Sequence, residues 1–119
     1  MPRATREQAE KHRVAIERAA SHLFRERGLE GISVAQIMAA AGLTHGGFYG
    51  HFSSKGELAA RACSRAFEQS AVRWRERLRE HEQPRQALDS IAAGFLTARH
   101  RDHPGGGCPA VALAGDVAR

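Results

Sequence analysis

Two short helical patterns that meet at a glycine limit the possible folds of this chain more than any other feature. The first pattern begins after Ser33, a residue type favoured at helix N-caps, and it stops at Gly42. Thr44 then opens a second short helix, which we expect to reach about His51. Apolar residues at helical spacing define the first of the two helices: Val34, Ile37, Met38 and Ala41. Two short helices with a glycine corner predict a helix-turn-helix, although the same spacing is also typical of a tight corner in a small bundle.

The rest of the sequence also predicts helices, because apolar residues recur at helical spacing and no stretch alternates for long enough to suggest a half-buried strand. We expect a first helix over residues 5–27, ended by Gly28, and a long helix over residues 55–80. A further helix is predicted over residues 84–101, and a last one over residues 109–119. The sequence therefore predicts an all-α fold.

Apolar stripes predict the faces by which these helices pack. In the long helix the stripe consists of Leu58, Ala62, Ala66, Trp74 and Leu78. In the helix after it the stripe consists of Leu88, Ile91, Ala92, Phe95 and Leu96. Phe48 and Phe52, four residues apart, would seat the second arm of the helix-turn-helix on the core. Ser54 followed by Glu57 predicts a capping box at the start of the long helix.

The charge of the chain indicates a polyanionic partner. Lys and Arg total 18 against 13 Asp and Glu, which gives a net charge of +5, and only Lys11 and Lys55 are lysines. Arginine suits bidentate contact with phosphates or guanine edges, although an arginine excess can also reflect genome composition. Charge alone leaves nucleic acid and an anionic membrane surface open. No apolar run approaches the ~18 residues of a membrane span, and no secretory signal is visible, so we expect a cytoplasmic protein.

Several stretches of the sequence are similar to one protein family. They are SVAQI at 33–37, AGLTHGGFYGHFSSKGEL at 41–58 and, before them, AA at 19–20 with LFRERG at 23–28. These stretches resemble the DNA-binding domain of tetracycline-repressor-like (TetR family) transcription regulators. The resemblance is strong from about residue 14 to 60 and weaker beyond. The ending GCPAVALAGDVAR, residues 107–119, is similar to the start of the sixth helix in one branch of the family.

The resemblance implies DNA-contacting roles for a set of residues around the glycine corner. Contacts to phosphates are implied for Ser33, Thr44, Tyr49, His51 and Lys55. Positions facing bases in the groove are implied for His45, Gly46 and Gly47. The resemblance also assigns Phe48 and Phe52 to the core. For Tyr49 and His51, packing in the core is the alternative.

Gly50 departs from the pattern of the family, which more commonly has a larger or polar residue there. It adds a third glycine to one short helix, and each glycine costs about 1 kcal/mol of helix propensity relative to alanine. We therefore expect a helix that is firm only on DNA or through its two phenylalanines. Few side chains remain for base edges, so operator choice is expected to rest on DNA shape and flexibility.

The resemblance also implies the organisation and activity of the whole protein. Residues 1–54 form a DNA-binding domain, with the helix-turn-helix at about 33–52 in a homeodomain-like three-helix bundle. Residues 55–119 form the first part of a helical ligand-binding and dimerisation domain. The implied protein is a repressor that binds a palindromic double-stranded DNA operator as a homodimer, without a cofactor, and is released by a small-molecule inducer. Because members of the family continue for several more helices, we expect a piece of a longer protein, or a truncated module that binds DNA without a ligand response.

Other functions fit the sequence less well. His100, His103 and Cys108 have the spacing of three metal ligands, but no fourth is evident, so no metal site is predicted. An enzyme is not expected, because the chain has only three Asp and no catalytic motif. The arginines of residues 61–79 are spread around the helix rather than segregated on one face, which argues against a membrane-surface helix.

Cys108 is a candidate switch residue. It follows the Gly105-Gly106-Gly107 loop and precedes Pro109, a favoured first helical residue, so it would lie at a helix N-terminus. A thiolate there is stabilised by the helix dipole, and oxidation or alkylation would push on the last helix and release DNA. The alternative is a small residue packed at a helix start, like Cys63 within the long helix.

Overall fold

A computed structural model describes residues 5–118, and every regular element in this range is helical. The α-helices are α1 (Arg6–Arg27), α2 (Val34–Ala40), α3 (Lys55–Arg79), α4 (Pro84–Phe95), α5 (Ala98–Asp102) and α6 (Pro109–Val117). Two 3₁₀ helices, His45–Gly50 and Pro104–Gly106, complete the chain. The prediction of an all-α fold is confirmed for these residues. Residues 1–4 of the predicted N-terminal domain and the predicted helix end at Arg119 lie outside the described range.

Local signals in the sequence mark the ends of the first two helices. The Thr5 side chain caps α1 by accepting a hydrogen bond from the amide of Gln8 at 3.1 Å, and Ser33 caps α2 in the same way. Gly28 ends α1 with φ of +82°, and Gly42 follows the end of α2 with φ of +75°. Glycine reaches such φ values without steric strain, which explains why the helices end where the sequence predicts.

The core lies where α1, α2, the 3₁₀ helix His45–Gly50 and the first half of α3 meet. α1 contributes a stripe with a spacing of four, and α3 repeats that spacing, so the two helices pack along one another. The buried apolar side chains of this cluster are Ile16, Ala20, Phe24, Ile32, Ile37, Met38, Phe48, Phe52, Leu58, Ala62 and Leu113. Leu113 comes from α6, which therefore packs on the same core as the helix-turn-helix.

The predicted stripe of α3 is correct only in its first half. Leu58, Ala62 and Ala66 are buried, but Trp74 and Leu78 are 39% and 52% exposed. The reason is that the second half of α3 extends past the cluster, where Trp74 meets Phe95 of α4 at its edge and stays partly open to solvent. The molecule is accordingly elongated, with extents of 57 × 31 × 23 Å.

The helix predicted over residues 84–101 is two helices. α4 ends at Phe95 with Leu96 as its C-cap, and the Thr97 side chain accepts a hydrogen bond from the amide of His100 at 3.0 Å, which starts α5. The Thr97 hydroxyl also donates to the carbonyl of Gly94 (3.2 Å) and so closes the corner. The predicted apolar stripe is wrong for Leu88 and Leu96, whose side chains are 64% and 85% exposed.

α6 is joined to the end of α1 by polar contacts as well as by Leu113. Arg25 of α1 donates from Nη1 to the carbonyl of Gly107 at 2.8 Å, just before α6. Near the other end of α6, Asp116 Oδ2 accepts a hydrogen bond from the amide of Leu29 at 3.3 Å. Burial is the main cause that lowers the pKa of Arg25, and the positive charge of Arg73 lowers it further. These contacts tie residues 105–118 to the end of α1.

Candidate nucleic-acid interface

The corner between α2 and the 3₁₀ helix His45–Gly50 is closed by backbone hydrogen bonds. The amide of Gly42 donates to the carbonyl of Ala39 at 3.0 Å, and the amide of Leu43 donates to the carbonyl of Met38 at 2.9 Å. The positive φ of Gly42 turns the chain between the two arms. The corner that the sequence predicts is therefore present.

The second arm of the corner is a 3₁₀ helix, whereas the sequence predicted an α-helix over residues 44–51. Its hydrogen bonds run from the amide of Gly47 to the carbonyl of Thr44 (3.2 Å) and from the amide of His51 to the carbonyl of Phe48 (2.9 Å). Three glycines among six residues lower the α-helical propensity of this arm. A short segment of this kind commonly adopts 3₁₀ geometry instead.

Phe48 and Phe52 hold this arm on the core. Their side chains are 0% and 2% exposed, and their ring centroids lie 5.7 Å apart. The guanidinium of Arg13 on α1 lies 5.7 Å from the centroid of the Phe52 ring. The predicted core positions of the two phenylalanines are confirmed. The rest of the arm faces outward, since its other residues are all exposed: His45, Gly46, Gly47, Tyr49 and Gly50.

The glycines of this arm are not required by the protein's own packing. None has a positive φ, and a Cβ placed on Gly46 or Gly50 would meet no atom within 4 Å. A Cβ on Gly47 would lie 3.9 Å from Met38 Cε and from Thr44 Oγ1, an ordinary contact distance. Because glycine has no side chain, this side of the 3₁₀ helix is an open surface at which another molecule can approach the backbone closely.

The two hydroxyls near the corner differ in their local role. Ser33 Oγ accepts a hydrogen bond from the amide of Gln36 (3.1 Å), and Gln36 Oε1 accepts one from the amide of Ser33 (2.9 Å). A hydroxyl that accepts in this way still has its own proton to donate. Thr44 occupies the N-cap position of the 3₁₀ helix but makes no capping hydrogen bond through its side chain. Both residues are exposed, so their hydroxyls are accessible from solvent.

The three remaining phosphate candidates follow one another around the end of the 3₁₀ helix. Tyr49 is 70% exposed, and its ring meets the Phe48 ring edge-on at 5.0 Å. Burial of Tyr49 in the core is therefore not observed. His51 is half-buried. Lys55 opens α3, is half-buried, and forms no ion pair with any residue of the described part of the chain.

The turn before Lys55 is held by Glu57. Its carboxylate accepts hydrogen bonds from the amide and the hydroxyl of Ser53, which lower the pKa of Glu57. Ser54 accepts from the amide of Glu57 at 3.1 Å, as the predicted capping box requires. A complete capping box would also need the Glu57 carboxylate to accept from the amide of Ser54. Here the carboxylate accepts from the amide of Ser53, one residue earlier, so only half of the predicted box is formed.

Sequence reasoning missed two residues that support this surface. His12 of α1 lies beside His51, with 6.3 Å between the ring centroids. Glu17 is buried and accepts hydrogen bonds from Arg65 of α3, the shorter at 2.9 Å, while Arg13 lies 3.5 Å from its other oxygen. His12 precedes Ile16 by four residues and so continues the buried stripe of α1, which is the signal that could have found it. Nothing local in the sequence indicates the contact of Glu17 with Arg65.

Cys108 lies at a different place, in a cavity of about 740 Å³. The cavity is bordered by α1 through His22, by α3, α4 and α5, and by the 3₁₀ helix Pro104–Gly106, and none of its lining residues belongs to the helix-turn-helix. Cys108 is the N-cap residue of α6, and its amide donates to Nε2 of His100 at 3.3 Å. Its role as a thiol switch stays a prediction. Cys63, in α3, is half-buried, and burial raises the pKa of its thiol.

Two properties of the described residues concern the metal site and the membrane role that the sequence left as alternatives. Between residues 5 and 118, no group of three His, Cys, Asp or Glu side chains is arranged to hold a metal ion. None of the helices in the same range combines the length and the apolar composition needed to cross a bilayer.

The arrangement defines a class of protein. A glycine corner with one arm anchored by two phenylalanines and otherwise exposed is a helix-turn-helix domain. Residues 16–62 match the family described as bacterial regulatory proteins, tetR family. Residues 16–62 are therefore similar to the N-terminal domain of the tetR family, and the resemblance seen in the sequence is confirmed.

Curated relatives agree with this assignment. Over 58 residues, the chain is 41% identical to the HTH-type transcriptional regulator TtgR and to the probable regulator ArpR, both from Pseudomonas putida. It is 38% identical over 58 residues to the regulator AcrR from Shigella flexneri. The matched segment is 49% of this chain but only 27–28% of the length of these relatives. The relatives are named as transcriptional regulators, in agreement with the expectation that the chain is not an enzyme.

Proposed function

We propose that the chain binds duplex DNA through the exposed side of the 3₁₀ helix His45–Gly50 and acts as a transcriptional regulator. The observation that carries the proposal is the orientation of this arm, in which Phe48 and Phe52 are buried while the other residues are exposed. The second arm of a helix-turn-helix enters the major groove in proteins of this class. The family match of residues 16–62 and the regulators to which the chain is similar over 58 residues support the same function.

In this proposal a ring of polar side chains holds the phosphates and sets the position of the arm. These side chains are Ser33, Thr44, Tyr49, His51 and Lys55. Phosphate contacts of this kind give affinity without reading sequence. The positive net charge of the whole chain acts in the same direction and makes the affinity depend on salt.

His45, Gly46 and Gly47 face the bases in this proposal. The open surface over Gly46 and Gly47 lets the backbone approach the groove, and His45 is left as the principal side chain for base edges. Direct readout is consequently thin, and sequence preference arises largely from how readily an operator adopts the required shape.

The phosphate contacts are tested by changing Lys55 to alanine. Binding to an operator and to random duplex should weaken by similar factors, and the slope of log affinity against log salt should fall by about one. Arg85→Ala, which removes a positive charge from exposed α4, is the matched control and should leave the slope nearly unchanged. A large change in sequence preference with an unchanged slope would count against the assignment of Lys55.

The base-facing positions are tested by Gly47→Ala with Gly50→Ala as control. Both substitutions add one methyl group to the same 3₁₀ helix, and the protein has room for both. Only Gly47→Ala should reduce operator binding, because its methyl group would lie against the bases. Equal DNA affinity of the two variants would show that Gly47 does not face the groove.

We further propose that the intact protein is a cytoplasmic, ligand-responsive repressor that binds a palindromic operator as a homodimer, with domains divided near residue 54. Two recognition arms would then enter successive major grooves about 34–36 Å apart. His22 of α1 lines the cavity, and Gly107, also in its lining, is held by Arg25 of α1. An inducer in the cavity would therefore act directly on the helix that carries the DNA-binding core, with a coupling free energy of about 1–3 kcal/mol.

A further inference from the structure

The lining of the cavity has a one-sided charge. Its volume of about 740 Å³ falls within the range of about 300–1,000 Å³ that is usual for small-molecule sites. Six of its lining residues are basic or imidazole side chains, and no Asp or Glu lines it: Arg73, Arg77, Arg99, His22, His100 and His103. A neutral or cationic ligand would leave the charge of the three arginines uncompensated.

The arginines of the cavity are not neutralised by acidic neighbours. Within residues 5–118, neither Arg73 nor Arg99 forms an ion pair. Arg77 donates from Nη1 to the carbonyl of Ser90 at 2.9 Å, a contact with no formal negative charge. The positive charge of Arg73 also contributes, after burial, to lowering the pKa of Arg25 on α1. Guanidinium groups in such a setting favour a carboxylate or phosphate.

One wall of the cavity is aromatic rather than charged. Trp74 and Phe95 meet at a centroid distance of 6.0 Å with their planes at 64°, and Phe95 meets His100 at 4.9 Å. Trp74 is 39% exposed, so part of its ring remains uncovered beside the cavity. An aromatic ligand is the apolar group that such a wall favours, because aromatic rings attract one another edge-on or offset.

We propose that this cavity binds a small aromatic carboxylate, with its ring against Trp74 and Phe95 and its carboxylate held by Arg73 and Arg99. The inference rests on the proposed function, since it names the chemical class of the inducer. The carboxylate supplies the negative charge that the lining lacks, and the ring covers the exposed part of the indole. The amide isostere of the same acid has the same shape and no charge, so it should bind more weakly.

The chain contains its own reporter for this test. Trp74 is its single tryptophan, so intrinsic indole fluorescence reports on the cavity alone. The 119-residue chain is titrated with 3-phenylpropionate, with 3-phenylpropionamide and with inorganic phosphate, and calorimetry measures the same affinities independently. We expect the carboxylate to bind at least about tenfold more tightly than the amide. Inorganic phosphate, which has no ring, should bind more weakly than the carboxylate.

Variants assign the preference to the named arginines. Arg73→Gln and Arg99→Gln should each bring the affinity for the carboxylate close to that for the amide. Arg75→Gln removes an exposed arginine of α3 that does not line the cavity, and it should keep the preference. Helical circular dichroism checks that each variant is folded.

Three outcomes would overturn the inference. They are equal affinity for carboxylate and amide, binding of phosphate as tight as that of the carboxylate, and an equal loss of affinity in Arg75→Gln and Arg99→Gln. A gel shift with random duplex separates this result from the proposed function. If the chain fails to bind DNA but discriminates the carboxylate, the regulator proposal fails and the cavity assignment stands. If it binds DNA without discriminating the two ligands, the cavity assignment fails alone.

Discussion

Two regions of the molecule differ sharply in how much they bury. The N-terminal bundle, residues 5–62, places most of its large apolar side chains in one cluster, in which Phe24, Phe48 and Ile37 are completely buried. In the cavity-side helices, α4 and α5, Ala87 is the one buried residue among those described. The surface proposed to meet DNA therefore stands on a firm support, while the walls of the cavity are held by few contacts.

The difference indicates where each region lies on the scale of local stability. Regions with few buried apolar contacts open at a lower free energy than the core, and ligand-binding elements are commonly of this kind. The arm His45–Gly50 belongs to the stable region despite its three glycines, because its two phenylalanines are part of the cluster. The packing of these two rings, rather than helix propensity, therefore stabilises this arm.

The largest effect is expected from Phe48→Ala, which removes a fully buried ring from the N-terminal bundle. The free energy of unfolding should fall by about 3–5 kcal/mol, through lost burial and the cavity left behind. Urea denaturation followed by circular dichroism measures it. A loss below about 1 kcal/mol would mean that the arm is not anchored as described.

Arg25→Met should have the second largest effect, because Arg25 joins α1 of the N-terminal bundle to the segment just before α6. The guanidinium donates to the carbonyls of Ser21 (3.1 Å) and Gly107 (2.8 Å), and hydrogen bonds from charged groups are each worth about 1.5–3 kcal/mol. Methionine keeps much of the apolar stem. Amides of α6 should exchange with solvent faster, while those of α2 and the first half of α3 change little. Equal acceleration throughout would indicate that α6 and the N-terminal bundle unfold as one unit.

Ser33→Ala and Thr44→Ala compare two hydroxyls inside the stable region. Ser33 makes a capping hydrogen bond, so its loss should cost about 1 kcal/mol of stability, whereas Thr44 makes none and should cost much less. Thermal unfolding gives both values. If the two variants are equally destabilised, the difference in capping between the two hydroxyls is not real.

The smallest effect is expected for Leu88→Ser and Leu96→Ser in the cavity-side helices. Both side chains are mostly exposed, so the free energy of unfolding of the chain should change by no more than about 0.5 kcal/mol. Chemical denaturation of the 119-residue chain measures this. A loss of about 2 kcal/mol or more would show that these leucines are packed in solution.

The features that the sequence predicted correctly depend on neighbours along the chain. The N-cap at Ser33, the helix end at Gly28 and the burial of Phe48 follow from residues within four positions. The break at Leu96 was missed because the residues before and after it keep helical spacing, and only the side-chain bonds of Thr97 reveal a new helix start.

Contacts between distant segments were out of reach of sequence reasoning. Arg25 and Gly107 are 82 residues apart, and Leu29 and Asp116 are 87 apart. The candidate DNA surface was easier to predict, since its residues lie within one continuous motif. The cavity was harder, because its arginines come from α3 and α5 and its aromatic wall from α3 and α4. No periodic pattern marks such a set.

Gly28 has a consequence for how this protein can tolerate mutation. Its φ of +82° and ψ of 165° lie in a region that is essentially restricted to glycine, where other residues pay about 1–3 kcal/mol. A Cβ there would also lie 3.1 Å from Oδ2 of Asp116 on α6. One substitution would therefore disturb both the end of α1 and the seat of α6. The backbone conformation at the end of α1 and the placement of α6 are therefore constrained by the same residue.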